Sequence, residues 1–280
     1  MKKLIAGLMA ALMLSVSAMA APAGEITLVS REDGSGTRGA FIELFGVEVK
    51  NADGTKKDMT SKEAIIANKT DVVLVNIAGD EAAIGYVSMG SLNETVKALA
   101  IDGVAATAEN VKNSTYPIAR PFNIAYKGEL NAVAQDFVNF ILSKEGQEVV
   151  AKSYIAVDAA AAPFAGANPE GKVTIAGSSS VTPIMEKLKE AYVAINPKAA
   201  IEIQLSDSTA GMTAAMDGTA DIGMASRKLK DSESEQLTSL AIALDGIAVI
   251  VNPANGLEGV QKDTVRAIFT GEITDWSEVK

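Results

Sequence analysis

No histidine and no cysteine occur among the 280 residues. The first absence excludes a Ser-His-Asp triad, the usual histidine-bearing zinc site and an imidazole base working near neutrality. The second excludes a thiol nucleophile, a CxxC motif, iron–sulfur ligation, a disulfide framework and lipid attachment at an N-terminal cysteine. Basic residues are also scarce, 25 against 35 acidic ones, for a net charge of −10 and a pI near 4.7. A chain this acidic lacks the basic face that a nucleic-acid partner requires, so none is expected. Local capture of a small anion stays open, because it needs only a few well-placed donors. The length suits one large or two medium domains with sizeable cores.

What is present begins with Met1-Lys2-Lys3, the apolar run Leu4 to Val16 and Ala18-Met19-Ala20. This is the pattern of a secretory signal peptide over residues 1–20, with cleavage expected before Ala21. About 13 apolar residues are too few to span a bilayer, which needs roughly 20. Loss of Lys2 and Lys3 with the leader takes the net charge from −10 to −12. The expectation is an exported, diffusible, monomeric periplasmic protein that needs neither metal nor cofactor.

Beyond the leader, short β-branched runs lead into Gly/Ser/Thr clusters and then into segments of helical period, which marks α/β organisation. Glu25 to Ser30 reads as a strand, Arg31 to Thr37 as a tight turn and Gly39 to Phe45 as the start of a helix. The design returns in the strand Lys172 to Ala176, the turn Gly177 to Ser180 and a helix from Pro183 to Val193, with proline where a first turn tolerates it. It returns again in Ile201 to Leu205, Ser206 to Gly211 and a short helix ending near Gly218. Asn131 to Leu142 sets Val133, Phe137, Phe140 and Ile141 on one helical face, which reads as core. The stretch Asp158 to Glu170, rich in Ala, Pro and Gly, reads as a linker.

The three turns share one chemistry. A helix N-terminus offers unpaired N–H groups and a partial positive charge, and hydroxyls at the turn add neutral donors. Gly34 and Gly36 around Ser35 let the backbone approach a ligand and form an anion-binding nest. Arg31 is the one full positive charge inside such a turn, its planar fork matches tetrahedral oxyanions, and Asp33 is placed to hold the guanidinium. Any one of these hydroxyls taken alone is adequately explained as an N-cap worth about 1 kcal/mol. Three clusters, one with an arginine, weigh towards a site.

Other patterns carry no chemistry. Gly166 to Lys172 has phosphate-loop spacing, but Val173 stands where Ser or Thr must bind magnesium, and the segment precedes a strand. Gly177-Ser178-Ser179-Ser180-Val181 lacks the closing glycine of a hydrolase elbow and a histidine to activate it. The triplets Asn68-Lys69-Thr70, Asn93-Glu94-Thr95 and Asn113-Ser114-Thr115 are chance matches to a glycosylation acceptor.

Ser30-Arg31-Glu32-Asp33-Gly34-Ser35-Gly36-Thr37-Arg38 resembles the second-lobe phosphate loop of the PstS family, the substrate-binding proteins of phosphate ABC transporters. Further matches are Gly177 to Pro183, Ser208-Thr209-Ala210-Gly211, Asp221 to Arg227, Ala243 to Ala248 and Phe269 to Trp276, so that the resemblance spans nearly all of the mature chain. The resemblance implies a type II-like, Venus-flytrap architecture, two α/β lobes whose cleft closes on one oxyanion and delivers it to an inner-membrane ABC permease, with no catalytic residue. The motif order departs from the family's, in which the Gly177 segment comes first and the Trp276 segment runs directly into the strand before Arg31. The chain therefore reads as a circular permutant whose linker 158–170 joins the usual ends. One lobe is then assembled from residues 23–122 and 244–280 and the other from 123–243, with crossovers near Arg120-Pro121-Phe122 and Leu244-Asp245-Gly246.

The phosphate ligands that the resemblance carries over are Arg31, Ser35, Gly36 and Thr37 from one lobe and Ser179, Ser180, Ser208 and Ser226 from the other, with Asp33 in support. Some family members read the proton of phosphate with an aspartate, at a position occupied here by Ser226. A hydroxyl can accept as well as donate, and Asp207 and Asp245 are further candidate acceptors. Rival readings are a binder of sulfate or molybdate, a phosphate-ester hydrolase using a serine with Lys172 or Lys228, and a sensing module without transport.

Overall fold

The computed structural model describes residues 22–51 and 55–279, and the expected signal peptide, residues 1–20, lies outside the described residues. Thr27–Arg31 forms a parallel strand between Ala83–Ser88 and Ile65–Ala67. Its alternation sends Leu28 into one core and Val29 into another on the opposite face, so the strand is covered on both sides as parallel strands generally are. A second parallel set places Gly171–Ser178 between Ala199–Ser206 and Ile222–Ala225.

Two antiparallel strands join the sets. Ala119–Tyr126 pairs with Ile222–Ala225 on one side and with the first part of Thr238–Val251 on the other. The remainder of that fourteen-residue strand pairs with Ala83–Ser88. Where the two cross between the sets, Asp245 lies opposite Arg120 and Leu244 opposite Pro121, just beyond a register shift between Ala241 and Ala243.

Two large cores flank this crossing. One gathers Phe41, Phe45, Tyr86, Ile118, Ile247, Phe269 and Trp276, and the other Phe122, Phe137, Phe140, Tyr154, Tyr192 and Ala243. We refer to the Trp276 domain and the Tyr192 domain. The helix expected from Asn131 spans Ala132–Leu142; Asn131 caps it by accepting from the Ala134 N–H, and Val133, Phe137, Phe140 and Ile141 are buried. In the Trp276 domain Gly36–Phe45 ends on Gly46 in the left-handed conformation that glycine allows.

Element boundaries shift in a consistent way. The strand Thr27–Arg31 takes Arg31 out of the turn, and the helix begins at Gly36 and not at Gly39. Ser35 is its N-cap, accepting from the Arg38 N–H at 3.3 Å, so the turn is shorter than expected and Gly36 and Thr37 sit in the first helical turn. Residues 158–170 form no helix or strand, yet they are fastened to the Tyr192 domain. Phe164 packs edge-on against Phe140, its N–H donates to Glu145 Oε2, and the Ala167 N–H donates to Asp136 Oδ1. Near the ends of the described chain, the Trp276 N–H donates to the Gly24 carbonyl at 2.9 Å and Glu25 bridges Asp275.

Candidate anion site between the two domains

Arg31 closes the strand Thr27–Arg31 with its side chain buried at 3% exposure. Tyr86 and Glu32 fix it from within its own domain. Its backbone N–H donates to Tyr86 Oη, which also bonds the Ser30 hydroxyl, and Tyr86 stacks on Phe41 with ring centroids 3.9 Å apart. Burial pushes the Tyr86 phenol up to about 12, so it stays a neutral hydrogen-bonding strut. The guanidinium donates through Nε and Nη2 to the two carboxylate oxygens of Glu32 at 2.7 and 2.6 Å, a bidentate fork.

This corrects the expected role of Asp33. Asp33 is 96% exposed and pairs with Arg38 Nη1 at 2.8 Å, because the turn after Arg31 carries the Asp33 side chain to the outside while Glu32 folds back along the guanidinium. Arg38 in turn bonds the Arg31 carbonyl and Asp58, which ties the loop to the helix that follows it.

Opposite Arg31, three turns of the Tyr192 domain bring their hydroxyls together. Gly177, at φ +135°, and Gly211 allow the strand Gly171–Ser178 and the helix Ser208–Asp217 to touch backbone to backbone; a Cβ on Gly211 would stand 2.6 Å from the Gly177 Cα. That close approach sets Ser178, Ser208 and Ser226 in one cluster. Ser178 Oγ donates to Ser226 Oγ at 3.0 Å, and the Ser226 N–H donates to Ser208 Oγ at 3.1 Å.

The two sides meet directly. Arg31 Nη2 donates to Ser179 Oγ at 3.1 Å, and the Thr37 and Ser180 hydroxyls are 2.8 Å apart. The Thr209 N–H donates to the Gly34 carbonyl across the same boundary. Gly36 faces Ser208 and Ser226 so closely that a Cβ there would lie 2.3 Å from Ser208 Oγ and 2.8 Å from Ser226 Oγ. All eight residues carried over as ligands therefore converge at one boundary: Arg31, Ser35, Gly36 and Thr37 against Ser179, Ser180, Ser208 and Ser226, each at most 5% exposed where a side chain is involved. Ser35 differs from the rest in that its hydroxyl is engaged as a cap.

Thr70 is the residue that sequence reasoning missed. It opens the helix Thr70–Gly79, is 3% exposed, accepts from Arg31 Nη1 at 3.4 Å and lies 3.3 Å from both Ser179 Oγ and Ser180 Oγ. Its signal in the sequence is a threonine just ahead of the apolar run Val72 to Val75, inside a triplet that matches a glycosylation acceptor. Glu32 was missed as well, in favour of its neighbour.

The candidate acceptors are engaged in bonds of their own, Asp207 beside Gly34 at the same boundary and Asp245 farther along the crossing strands. Asp207 caps the helix Ser208–Asp217 by accepting from the Ala210 N–H. Asp245 is buried in the crossing strands, where it accepts from Ser88 Oγ and from Arg120 Nη2 at 3.1 Å. Burial pushes its carboxyl up to about 6 and pushes the Arg120 guanidinium below its ordinary range, so desolvation outweighs the mutual attraction for both partners. The site is thus a cage of hydroxyl and N–H donors around one guanidinium whose charge Glu32 balances. Among the described residues no group of His, Cys, Asp and Glu could hold a metal ion.

Two α/β domains joined by paired crossing strands, with a polar site at their boundary, define the class of two-domain ligand-binding proteins. A family model described as a PBP superfamily domain matches residues 15–145 and 162–280. The phosphate-binding protein PstS 2 of Streptococcus agalactiae serotype V is 53% identical over 259 residues, 91% of this chain and 88% of the relative. PstS 2 of Streptococcus pneumoniae serotype 4 is 45% identical over 268 residues, 95% of this chain and 91% of the relative. The crystal structure of a phosphate ABC transporter phosphate-binding protein from Streptococcus pneumoniae TIGR4 superposes with a TM-score of 0.73 at 46% identity, covering 92% of this chain and all of that one. The chain belongs to the PstS family within the PBP superfamily.

Proposed function

We propose that this chain captures inorganic phosphate between its two domains and delivers it to an ABC-type permease at the membrane, acting as a carrier and not as an enzyme. The observation that supports this most is the convergence of Arg31 with buried hydroxyls from both domains. Phosphate offers a tetrahedron of oxygens, and the boundary offers a forked guanidinium, helix N-termini and hydroxyls from both sides. On this reading Arg31, Gly36, Thr37, Ser179, Ser180, Ser208 and Ser226 contact the ligand directly, while Ser35 shapes the helix start and Glu32 holds the guanidinium. Ligand contacts to both sides stabilise the joined arrangement, and the permease selects it.

The work is done outside the cytoplasmic membrane, as the leader-like residues 1–20 suggest; no helix among the described residues is long and apolar enough to cross a membrane. We assign residues 23–122 and 244–280 to the Trp276 domain and 123–243 to the Tyr192 domain. The division of the cores supports this, with Ile118 and Ile247 in one and Phe122 and Ala243 in the other. The rotated motif order is in keeping with the contact between Gly24 and Trp276 and with the fastened segment 158–170.

Calorimetric titration of residues 21–280 with phosphate, then sulfate in the same buffer, tests the function. One-to-one phosphate binding that sulfate does not displace is expected. Binding of sulfate or molybdate with no response to phosphate would overturn the ligand assignment.

A further inference from the structure

Arg31 has five N–H donors, and acceptors among the described residues account for four of them. Nε and one Nη2 hydrogen go to Glu32, the other Nη2 hydrogen to Ser179, and one Nη1 hydrogen to Thr70. The second Nη1 hydrogen is left for a ligand, so the direction in which Nη1 points matters. Thr70 Oγ1 is the acceptor on that nitrogen.

Because a guanidinium cannot accept, the Thr70 oxygen must receive the Arg31 bond and keeps its own proton to donate. Ser179 and Ser180 stand at equal distances of 3.3 Å to receive it. A serine that accepts from Thr70 or from Arg31 Nη2 keeps its hydroxyl proton to donate, and the Ser180 proton reaches a ligand when the Thr37 hydroxyl, 2.8 Å away, donates to Ser180 in its turn. The chain of donors then runs one way, from the guanidinium through Thr70 to the serines and out towards an anion, and each bond polarises the next.

We propose that Thr70 is a positioning residue of the anion site, orienting the Arg31 fork and directing the protons of Ser179 and Ser180 at the ligand. This rests on the phosphate reading given above. It adds a further turn, the start of the helix Thr70–Gly79, to the Arg31 turn and the three of the Tyr192 domain.

The test is phosphate titration of the wild-type chain and of T70V, T70S and T70V in an R31K background, with urea unfolding of each ligand-free protein. T70V keeps the shape of the side chain without its hydroxyl and should weaken phosphate binding roughly tenfold or more. T70S restores the hydroxyl and should bind within about threefold of wild type. In the R31K background T70V should cost less than about threefold, because the fork that Thr70 receives is gone and the two changes cease to be additive. T70A removes the same hydroxyl with less bulk and serves should T70V not fold. Wild-type affinity in T70V or T70A, failure of T70S to rescue, or an undiminished cost in R31K would overturn the role of Thr70. A wild-type chain that takes up no phosphate would instead overturn the function itself.

Discussion

Replacing Gly36 by alanine separates closure of the domains from folding of either one. Gly36 opens the helix Gly36–Phe45 and its φ is not positive, so alanine fits the backbone of its own domain. Loss of backbone freedom in the unfolded chain would stabilise the isolated domain by about 0.4–1 kcal/mol. Across the boundary the new Cβ would lie 2.3 Å from Ser208 Oγ and 3.1 Å from Ser208 Cβ. Rotating the serine hydroxyl away would relieve the first contact but not the second, and it would break the bond from the Ser226 N–H. The domains must instead separate by about 1 Å to reach ordinary contact. That moves Arg31–Ser179, Thr37–Ser180 and Thr209–Gly34, now 2.8–3.2 Å, to about 4 Å and outside hydrogen-bond range. At about 1 kcal/mol for each of three bonds the closed state loses about 3 kcal/mol, roughly a hundredfold in affinity. Calorimetry with phosphate and urea unfolding of the ligand-free protein read the two effects apart. A G36A chain that binds phosphate within about threefold of wild type would refute the argument that these atoms meet in the liganded state.

Further outcomes follow from the same structure. Asp245 binds its proton more tightly when folded, with a carboxyl raised from 3.8 to about 6, so the stability it contributes is full below about pH 4 and lost as pH rises through about 6. Unfolding measured from pH 4 to 7 should show a decline of about 2 kcal/mol in wild type that D245N lacks; parallel slopes would count against it. With a net charge of −10 and Arg31 balanced by Glu32, phosphate affinity should change little with salt, and a steep fall on adding sodium chloride would point to a positive field that the site does not have. Joining the Trp276 end to Gly24 by a short linker, and opening the chain within 158–170, should leave phosphate binding intact; loss of binding with retained folding would contradict the rotated-order reading.

The α/β class was legible because β-branched runs, hydroxyl-rich turns and helical periods alternate, and the apolar stripe of Asn131 to Leu142 marked a core helix directly. The loops that meet at the domain boundary stood out through the PstS resemblance, and Arg31 as the one positive charge inside such a turn. The pairing of that charge was not. Glu32 and Asp33 are adjacent carboxylates, and which of them faces the guanidinium depends on a turn that starts one residue later than the residue types suggest. Thr70 escaped notice for a different reason. It comes from a helix that follows the edge strand Ile65–Ala67, and only the parallel pairing of that strand with Thr27–Arg31 brings it beside Arg31. Contacts made by sheet register over 39 residues of separation leave no local mark.

The strand Thr238–Val251 belongs to both cores, with Ile242 and Ala243 in one and Ile247 and Val249 in the other. Neither domain can melt without stripping a sheet partner from its neighbour, since the same fourteen residues hold Ala119–Tyr126 at one end and Ala83–Ser88 at the other. Although the molecule is built as two bodies, it should therefore denature as one: a single thermal transition, with calorimetric and van't Hoff enthalpies equal, where two beads on a string would give two steps.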